Sequence, residues 1–346
     1  MADSNFRMLL VPEDDYMHPV EAAQNFNESM YFNVFDPQRQ IGGWFRIGNR
    51  PNEGYAEMTS CIYLPDGKVG FMFRRASIAN NDAFNAGGMQ IEVVEPHKRL
   101  QVRYTGKLCV LANPHEMADP KAAFRNNPSI ESEIVLDYVG VSPVTGGEPV
   151  NADGSRIEMD AEKSFARGHT EQHVAASGKI RIGDTTYEID GFGLRDHSWG
   201  PRYWQAIHWY RWCPMNFGRD FAMMLSVTCG AGQPPRQGGV VLENGKYRRI
   251  KGVKFKTDWD ANWYQKSFVA HVTMDDGEEF DVEGDVMSLI PLRNRRQAAD
   301  GTMLITRITE GMTRYRARGM VGYGLSEFLD QVNEAGLPVS IAEGQA

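Results

Sequence analysis

The 346-residue chain has few of the features that mark several large protein classes. Its four cysteines form no CxxC pair, so neither a zinc knuckle nor a disulfide framework is indicated (Cys61, Cys109, Cys213 and Cys229). No apolar run approaches the roughly 18–20 residues needed to span a bilayer. The opening MADSNFRMLLVPEDD lacks the apolar core of a signal peptide. We therefore expect a reduced, cytoplasmic protein without a membrane span.

Nucleotide-binding and nucleic-acid-binding features are missing as well. The sequence contains no G-x-x-x-x-G-K-[ST], no G-x-S-x-G and no G-x-G-x-x-G, which disfavours nucleotide-dependent and serine-hydrolase chemistry. The formal net charge is −8, whereas nucleic-acid binders usually present a net basic face. We expect no cofactor and no nucleic-acid partner, which leaves a small molecule as the expected ligand.

Helical periodicity is scarce, and it is found at Pro120–Asn126 and Leu325–Asn333. Turn chemistry is abundant instead. Dipeptides typical of two-residue hairpins occur at Asp66-Gly67, Asp153-Gly154, Asn244-Gly245 and Asp276-Gly277, and most of them are flanked by strand-like runs. Many short strands at hairpin spacing, with little helix between them, predict an antiparallel all-β protein of sandwich or barrel type.

Roughly sixteen candidate strands exceed what one small closed barrel uses, so we expect two consecutive β units. The glycines of Gly191–Gly193 suggest the boundary, which gives an N-terminal domain at 1–190 and a C-terminal domain at 191–336. Residues 337–346 are expected to form a frayed tail. The boundary bears on function because pockets often form where two domains meet.

The segment 191–213 contains four of the seven tryptophans, interleaved with charged and imidazole side chains (GFGLRDHSWGPRYWQAIHWYRWC). Aromatic rings bury readily, but charged groups are buried only when they are paired or hydrogen-bonded. The segment is therefore either a polar network inside a core or the wall of an amphipathic pocket.

Asp196 and His197 are the first candidates for acid/base chemistry, because histidine titrates near neutrality and a carboxylate can orient it. Adjacent side chains of a strand point to opposite faces, so the two need not touch. Asp196 could instead bind backbone amides or an arginine, and His197 could be a buried, hydrogen-bonded residue.

The segment His169–His173 is not an HExxH zinc motif, because its glutamate is one place too late and its surroundings are strand-like. On a strand, His169, Glu171 and His173 share one face. No second ligand cluster accompanies them, so we predict no metal site. Glu171 or Gln172 projecting into a barrel interior is one interpretation, and a solvent-facing polar stripe is the other.

Period-two geometry also divides the segment Trp204–Trp212. His208, Tyr210 and Trp212 fall on one face together with Ala206, an arrangement that suits an apolar ligand with one polar handle. The alternative is that these aromatic residues simply form core.

The DHSWGPR segment at Asp196–Arg202 resembles the signature of the carotenoid 1,2-hydratase (hydroxyneurosporene synthase) and AttH-like superfamily. Glu171-Gln172 and the passage from Ser177–Ile180 into Tyr187–Gly191 add to the resemblance. A bacterial branch of that superfamily is closer still, through segments like Tyr31–Phe45, Arg50–Gly54 and Gly322–Glu327.

The resemblance implies two consecutive lipocalin-like β-barrels and chemistry without nucleotide cofactors on apolar, often polyene or terpenoid, substrates. We expect a cofactor-independent hydratase, dehydratase, isomerase or cyclase. The expected catalytic residues are Asp196, His197 and Glu171, and the expected substrate-binding residues are Gln172, Trp199, Arg202, His208, Tyr210 and Trp212. A carrier for a hydrophobic metabolite and a purely structural role are the alternatives. The oligomeric state stays open, with a homodimer as one candidate.

Overall fold

The computed structural model describes residues 6–297, 301–333, 336–342 and 344. Antiparallel strands account for most of these residues, so the predicted all-β class is confirmed. In chain order the described strands are β1 (Phe6–Leu9), β2 (Phe26–Asp36), β3 (Ile41–Arg50), β4 (Tyr55–Tyr63), β5 (Val69–Ser77), β6 (Phe84–Ala86), β7 (Met89–Glu95), β8 (Arg99–Leu111), β9 (Ser129–Gly140), β10 (Thr145–Asn151), β11 (Gly168–Ile182), β12 (Thr185–Pro201), β13 (Trp209–Asn216), β14 (Phe221–Cys229), β15 (Arg236–Glu243), β16 (Lys246–Trp259), β17 (Gln265–Met274), β18 (Glu279–Gln297), β19 (Met303–Ala317) and β20 (Met320–Val332).

Helices are short in the described part of the chain. They are α1 (Pro120–Asn126), as the sequence predicts, and α2 (Val339–Ala342), with 3₁₀ turns at Pro12–Asp15, Pro51–Glu53, Pro114–Ala118 and Trp204–Ala206. Asp119 caps α1, since its side chain accepts a hydrogen bond from the backbone N–H of Ala122. No helix among the described residues is long and apolar enough to cross a membrane.

The strands up to β12 form one antiparallel sheet, here called the N-terminal sheet, in the order β1-β10-β11-β12-β2-β3-β4-β5-β8-β7-β6. Strand β9 pairs with both β8 and β11, so eight strands connect in a circuit, β11-β12-β2-β3-β4-β5-β8-β9. The remaining strands, β13 to β20, form a closed barrel in which each strand pairs with the next and β20 returns to β13.

The junction expected near Gly191–Gly193 lies inside β12, which continues in the N-terminal sheet to Pro201. The first strand of the barrel begins at Trp209. The division into domains at residue 190 stays a prediction. Of the expected frayed tail, residues 343, 345 and 346 lie outside the described residues, while Ser340 in α2 is buried.

The prediction of a helix at Leu325–Asn333 is wrong, because all of this segment up to Val332 belongs to β20. Its side chains are buried on both faces of the strand: Phe328 packs in the barrel interior, while Leu325 packs outside the barrel against the N-terminal sheet. A strand buried on both faces loses the alternation of polar and apolar residues that identifies strands from sequence.

Apolar side chains form three cores. One fills the inside of the N-terminal sheet around Phe32 and Phe45, and a second fills the barrel around Phe268 and Phe328. The third, here called the interface core, joins the outer surfaces of the two bodies: Tyr31, Phe35, Trp44, Cys61, Tyr63, Val69, Phe71, Cys109, Leu111, Met117, Ala123, Ile290, Met312 and Leu325. A cavity between the two bodies borders this interface core.

Candidate functional site

A cavity of about 1010 Å³ lies between the N-terminal sheet and the outside of the barrel. Aromatic side chains from both bodies line it, among them Tyr31, Trp44 and Phe71 from the sheet and Trp212 from β13. A cavity of this volume between two bodies, lined by aromatic and charged side chains together, is a usual setting of a small-molecule site.

Two neighbouring rows of cross-strand partners form the sheet wall of this cavity. Because side chains on one face alternate along each strand, partners in register line up across the sheet. The first row is Glu171, Asp196, Tyr31, Arg46, Thr59 and Phe73. The second row is His169, Ser198, Ser29, Gly48, Glu57 and Arg75.

The barrel wall brings Tyr210, Trp212, Glu310 and Glu327 to the same cavity. Glu310 and Glu327 lie directly opposite each other on β19 and β20, and Trp212 is the partner of Glu327 on β13. Tyr210 and Trp212 share one face of β13, as the sequence alternation predicts, and Tyr210 donates a hydrogen bond from its hydroxyl to Glu327 Oε1.

Besides Glu57, four carboxyl groups line this cavity as two cross-strand pairs, one from each body. The pair Glu171 and Asp196 belongs to the sheet, and the pair Glu310 and Glu327 belongs to the barrel. A direct contact links the two walls, since Trp212 Nε1 donates to Glu171 Oε1 over 2.7 Å.

The barrel pair has the chemistry of proton donors. Burial, together with the negative charge of Asp196, raises the pKa of Glu310 and that of Glu327 to about 8. Both carboxyl groups are thus mostly protonated at neutral pH. Glu310 is 4% exposed, and its Oε2 has no hydrogen-bond partner among the described residues.

The sheet pair is arranged differently. Asp196 faces the cavity with Oδ2 3.7 Å from Nε2 of His169. Desolvation of the imidazole would lower the pKa of His169, but Asp196 and Glu171 raise this pKa above its ordinary value. Burial raises the pKa of Glu171. A carboxylate beside an imidazole can accept a proton from a bound molecule.

His197 points to the opposite face of β12 from Asp196, as strand geometry requires. It is buried inside the N-terminal sheet with Nε2 3.0 Å from Oε1 of Glu28, and His18 Nδ1 lies 2.7 Å from the same oxygen. Burial alone would raise the pKa of Glu28, but the hydrogen bonds from His18 and His197 bring it down to about 2. In this structure His197 belongs to a core network and lies outside the cavity.

Three expected substrate-binding residues also lie away from the cavity wall. Trp199 is buried beside His197 and stacks on His18 with 3.8 Å between ring centroids. The Gln172 side chain binds Arg195, which in turn pairs with Asp15. His208 precedes β13, because the 3₁₀ turn at Trp204–Ala206 breaks the expected alternation there. Arg202, by contrast, lines the cavity.

His18, Glu28 and His197 are the residues that could hold a metal ion among those described, since one ligand atom from each lies within 4.8 Å of the others. Asn81 Nδ2 and the backbone N–H of His18 also donate to the Glu28 carboxylate. Its oxygens therefore already accept several hydrogen bonds, and a cation would have to displace them. The sequence-based expectation of no metal site stays a prediction.

Sequence reasoning missed Arg46, Glu310 and Glu327. A signal for the two glutamates was present in the chain. Arg318 and Gly319 both have positive φ, 49° and 76°, and form the tight turn of the β19–β20 hairpin. Counting back equal distances from that turn pairs Glu310 with Glu327. No comparable local signal marks Arg46, whose importance comes from distant neighbours.

Comparisons with known proteins agree with this architecture. The family model described as Domain of unknown function (DUF7064) matches residues 11–332. No curated protein matches the sequence.

Three solved structures share the fold at low sequence identity. An AttH-like protein from Nitrosomonas europaea is 14% identical with a TM-score of 0.55, covering 93% of this chain and 96% of that one. Kievitone hydratase from Nectria haematococca is 8% identical with a TM-score of 0.53, covering 89% and 90%. CghA, solved with Sch210972, is 11% identical with a TM-score of 0.51, covering 89% of each chain. The AttH-like part of the resemblance thus holds for the fold.

Proposed function

Because the chain belongs to the DUF7064 family of domains of unknown function, we propose its activity from the cavity itself: cofactor-independent acid/base catalysis on a hydrophobic small molecule. The observation that carries this proposal is the buried Glu310 carboxyl group in the same cavity as Asp196, with a raised pKa and an Oε2 that no described residue hydrogen-bonds. A protonated carboxyl group and a carboxylate in one apolar cavity can act as general acid and general base.

In the hydration direction, Glu310 donates its proton to one carbon of a substrate double bond. Water then adds to the resulting cation and loses its proton to Asp196, with Glu171 beside it. The π faces of Tyr31 and Trp212 would stabilise the developing positive charge. Dehydration runs these steps in reverse, and proton removal from a neighbouring carbon in place of water addition gives isomerisation.

Among these reactions, fold similarity favours hydration, because kievitone hydratase has the same architecture. The DHSWGPR resemblance to carotenoid 1,2-hydratases favours the same reaction class and a polyene or terpenoid substrate. The structure suggests separate roles for the motif: Asp196 and Arg202 face the cavity, while His197 and Trp199 stabilise the sheet interior behind it.

A carrier of hydrophobic metabolites is the second candidate, favoured by the size of the cavity. Isotope incorporation separates the two functions. Freshly purified protein is examined by native mass spectrometry for a co-purified ligand and is then incubated in H₂¹⁸O and, separately, in D₂O. An acid/base enzyme incorporates ¹⁸O or deuterium into its ligand, whereas a carrier returns the ligand unlabelled.

Matched variants locate the activity. Glu310→Gln and Asp196→Asn should each abolish labelling while the protein stays folded and retains the ligand. Glu283→Gln removes an exposed carboxylate that binds Arg316 and should label like the wild type. Labelling that persists in both cavity variants would contradict the proposed roles, and unfolding of Asp196→Asn would make that residue structural.

A further inference from the structure

The cavity wall beside the N-terminal sheet holds two arginines that are incompletely paired. Arg46 and Arg202 both line the cavity, and neither donates a hydrogen bond to a carboxylate among the described residues. Guanidinium groups taken out of water normally find such partners.

Arg46 competes for a shared carboxylate. Glu57 lies near three guanidinium groups: Arg75 at 3.0 Å, Arg46 at 3.7 Å and Arg50 at 3.9 Å between the nearest nitrogen and oxygen atoms. Nη2 of Arg46 is buried and has no hydrogen-bond partner within the described part of the chain. Gly48, the next residue on the same face of β3, makes room for it, since a Cβ there would lie 2.5 Å from Nη2.

Arg202 is buried, and only part of its hydrogen-bonding capacity is used. The residue is 8% exposed, and its guanidinium carbon lies 3.9 Å from the centroid of the Phe165 ring. Nη2 donates to Ser198 Oγ over 2.6 Å, which leaves the other side-chain N–H groups without an acceptor among the described residues. Burial and the nearby charge of Arg46 lower the pKa of Arg202 to about 9, so it still carries its charge at neutral pH.

The surrounding acids are shared among several groups, and none is dedicated to Arg46 or Arg202 by a hydrogen bond among the described residues. Asp196 Oδ2 lies 3.7 Å from His169, Glu57 is shared by Arg75, Arg46 and Arg50, and Glu171 accepts a hydrogen bond from Trp212. Glu310 and Glu327 are mostly protonated at neutral pH because their pKa values are near 8. Two guanidinium groups that keep unused N–H donors on the wall of a cavity are suited to a planar oxyanion.

We propose that Arg46 and Arg202 form an anion subsite and that the substrate is therefore a hydrophobic carboxylic acid, whose carboxylate they bind. The conclusion that this ligand is a substrate rests on the proposed function. The anion subsite itself can be tested by ligand binding alone. The apolar part of the molecule would lie along Tyr31, Trp44 and Trp212.

A matched pair of polyene probes tests the subsite. All-trans-retinoic acid and all-trans-retinol differ in the carboxylate, and both quench tryptophan fluorescence when they bind near residues such as Trp44 and Trp212. We expect the acid to bind about tenfold to hundredfold more tightly than the alcohol, as one or two charge-assisted hydrogen bonds would give. Equal affinities, or binding of neither probe, overturns the proposal.

Variants assign the preference to the two arginines. Arg46→Met and Arg202→Met should each weaken binding of the acid by about tenfold and leave the alcohol within twofold. Arg236→Met removes an exposed arginine at the cavity mouth and should leave the acid preference unchanged. If either methionine variant fails to fold, Arg202→Lys and Arg46→Lys, which keep the charge but lose the planar fork, should reduce the preference in part. A preference that survives in every variant of Arg46 and Arg202 contradicts the assignment.

The outcome for the subsite is separable from the outcome for catalysis. Glu310→Gln should leave the ratio of acid to alcohol affinity unchanged while it abolishes isotope incorporation. If the wild type binds the acid more tightly than the alcohol but incorporates no isotope into a ligand, the anion subsite is supported and the catalytic function is refuted. Isotope incorporation into a ligand, without tighter binding of the acid than of the alcohol, would support the enzyme and refute the anion subsite.

Discussion

At the scale of single residues, the function proposed here depends on the protonation of one buried carboxyl. Burial and the charge of Asp196 raise the pKa of Glu310, while Arg46 opposes the shift, and the result is about 8. A general acid must carry its proton, so the rate of isotope incorporation should be level near neutral pH and fall about tenfold per pH unit above pH 8. Glu310→Gln should lower the rate by about 10²–10⁴. The general acid would be Glu327 instead if the fall in rate at high pH disappeared in Glu327→Gln but persisted in Glu310→Gln.

The buried Glu28 gives a second residue-scale prediction, on stability. Its pKa falls from 4.5 to about 2 on folding, despite burial, because His18 and His197 bind the ionised form. A lowered pKa stabilises the folded state above pH 4.5, and the contribution is lost as the pH falls from about 4.5 towards 2. Glu28→Gln should cost about 3–5 kcal/mol of unfolding free energy at pH 7, measured by urea titration, and should flatten the loss of stability below pH 4.5.

A surface ion pair is the control for that measurement. Glu283 binds Arg316 through Oε2 and Nε at 2.8 Å, with both side chains largely exposed. Glu283→Gln should change the unfolding free energy by less than about 1 kcal/mol. Equal costs for Glu28 and Glu283 would show that the buried network contributes no more than an exposed pair.

Alternation along a strand predicts which residues share a face, and it does so here for Tyr210 with Trp212 and for Asp196 against His197. It does not predict which face meets a cavity. Asp196 and His197 looked equally suited to catalysis from their chemistry, and the structure separates them because one face of β12 meets the barrel and the other meets the sheet interior. That distinction depends on contacts far away in the chain.

At the scale of elements, close packing of neighbouring strands depends on glycine at a few positions. A Cβ on Gly168 in β11 would lie 2.1 Å from Cζ2 of Trp199, its partner on β12. Gly168→Ala should therefore displace the Trp199 ring from His18, alter the near-UV circular dichroism and cost about 1–3 kcal/mol. Gly238 in β15 is a suitable control, because the nearest atom to its added Cβ is 3.9 Å away. Matching spectra for Gly168→Ala and the wild type would exclude this packing constraint.

The turns were the elements most open to prediction. Asp66-Gly67, Asn244-Gly245 and Asp276-Gly277 each connect consecutive strands, and their glycines have φ of 83°, 77° and 90°. These turns are local, so their residues specify them directly. The segment at Leu325–Asn333 was misread because its apolar side chains serve two cores at once, one on each face of β20.

At the scale of the whole molecule, the all-β class followed from sequence, but the meeting of its two bodies did not. The cavity depends on contacts such as the hydrogen bond from the Tyr63 hydroxyl to the backbone carbonyl of Glu310, over 2.9 Å, between residues 247 positions apart. Composition and periodicity predict that one face of a strand is buried, but they do not predict which surface covers that face. The interface core was therefore beyond the reach of local patterns.

That interface core predicts coupled unfolding of the N-terminal sheet and the barrel. Leu325 lies on the barrel, is 1% exposed and packs in the same cluster as Trp44 and Phe71 of the sheet. Separating the two bodies would expose this cluster to water, at about 25 cal/mol for each Å² of apolar surface. We expect the wild type to unfold in one transition in urea, with tryptophan fluorescence and far-UV circular dichroism coincident. Leu325→Ala should lower the midpoint of both signals together, by about 2–5 kcal/mol in free energy. Two separate transitions, of which the mutation moves one, would show that the bodies fold independently and that the cavity between them can open without unfolding either.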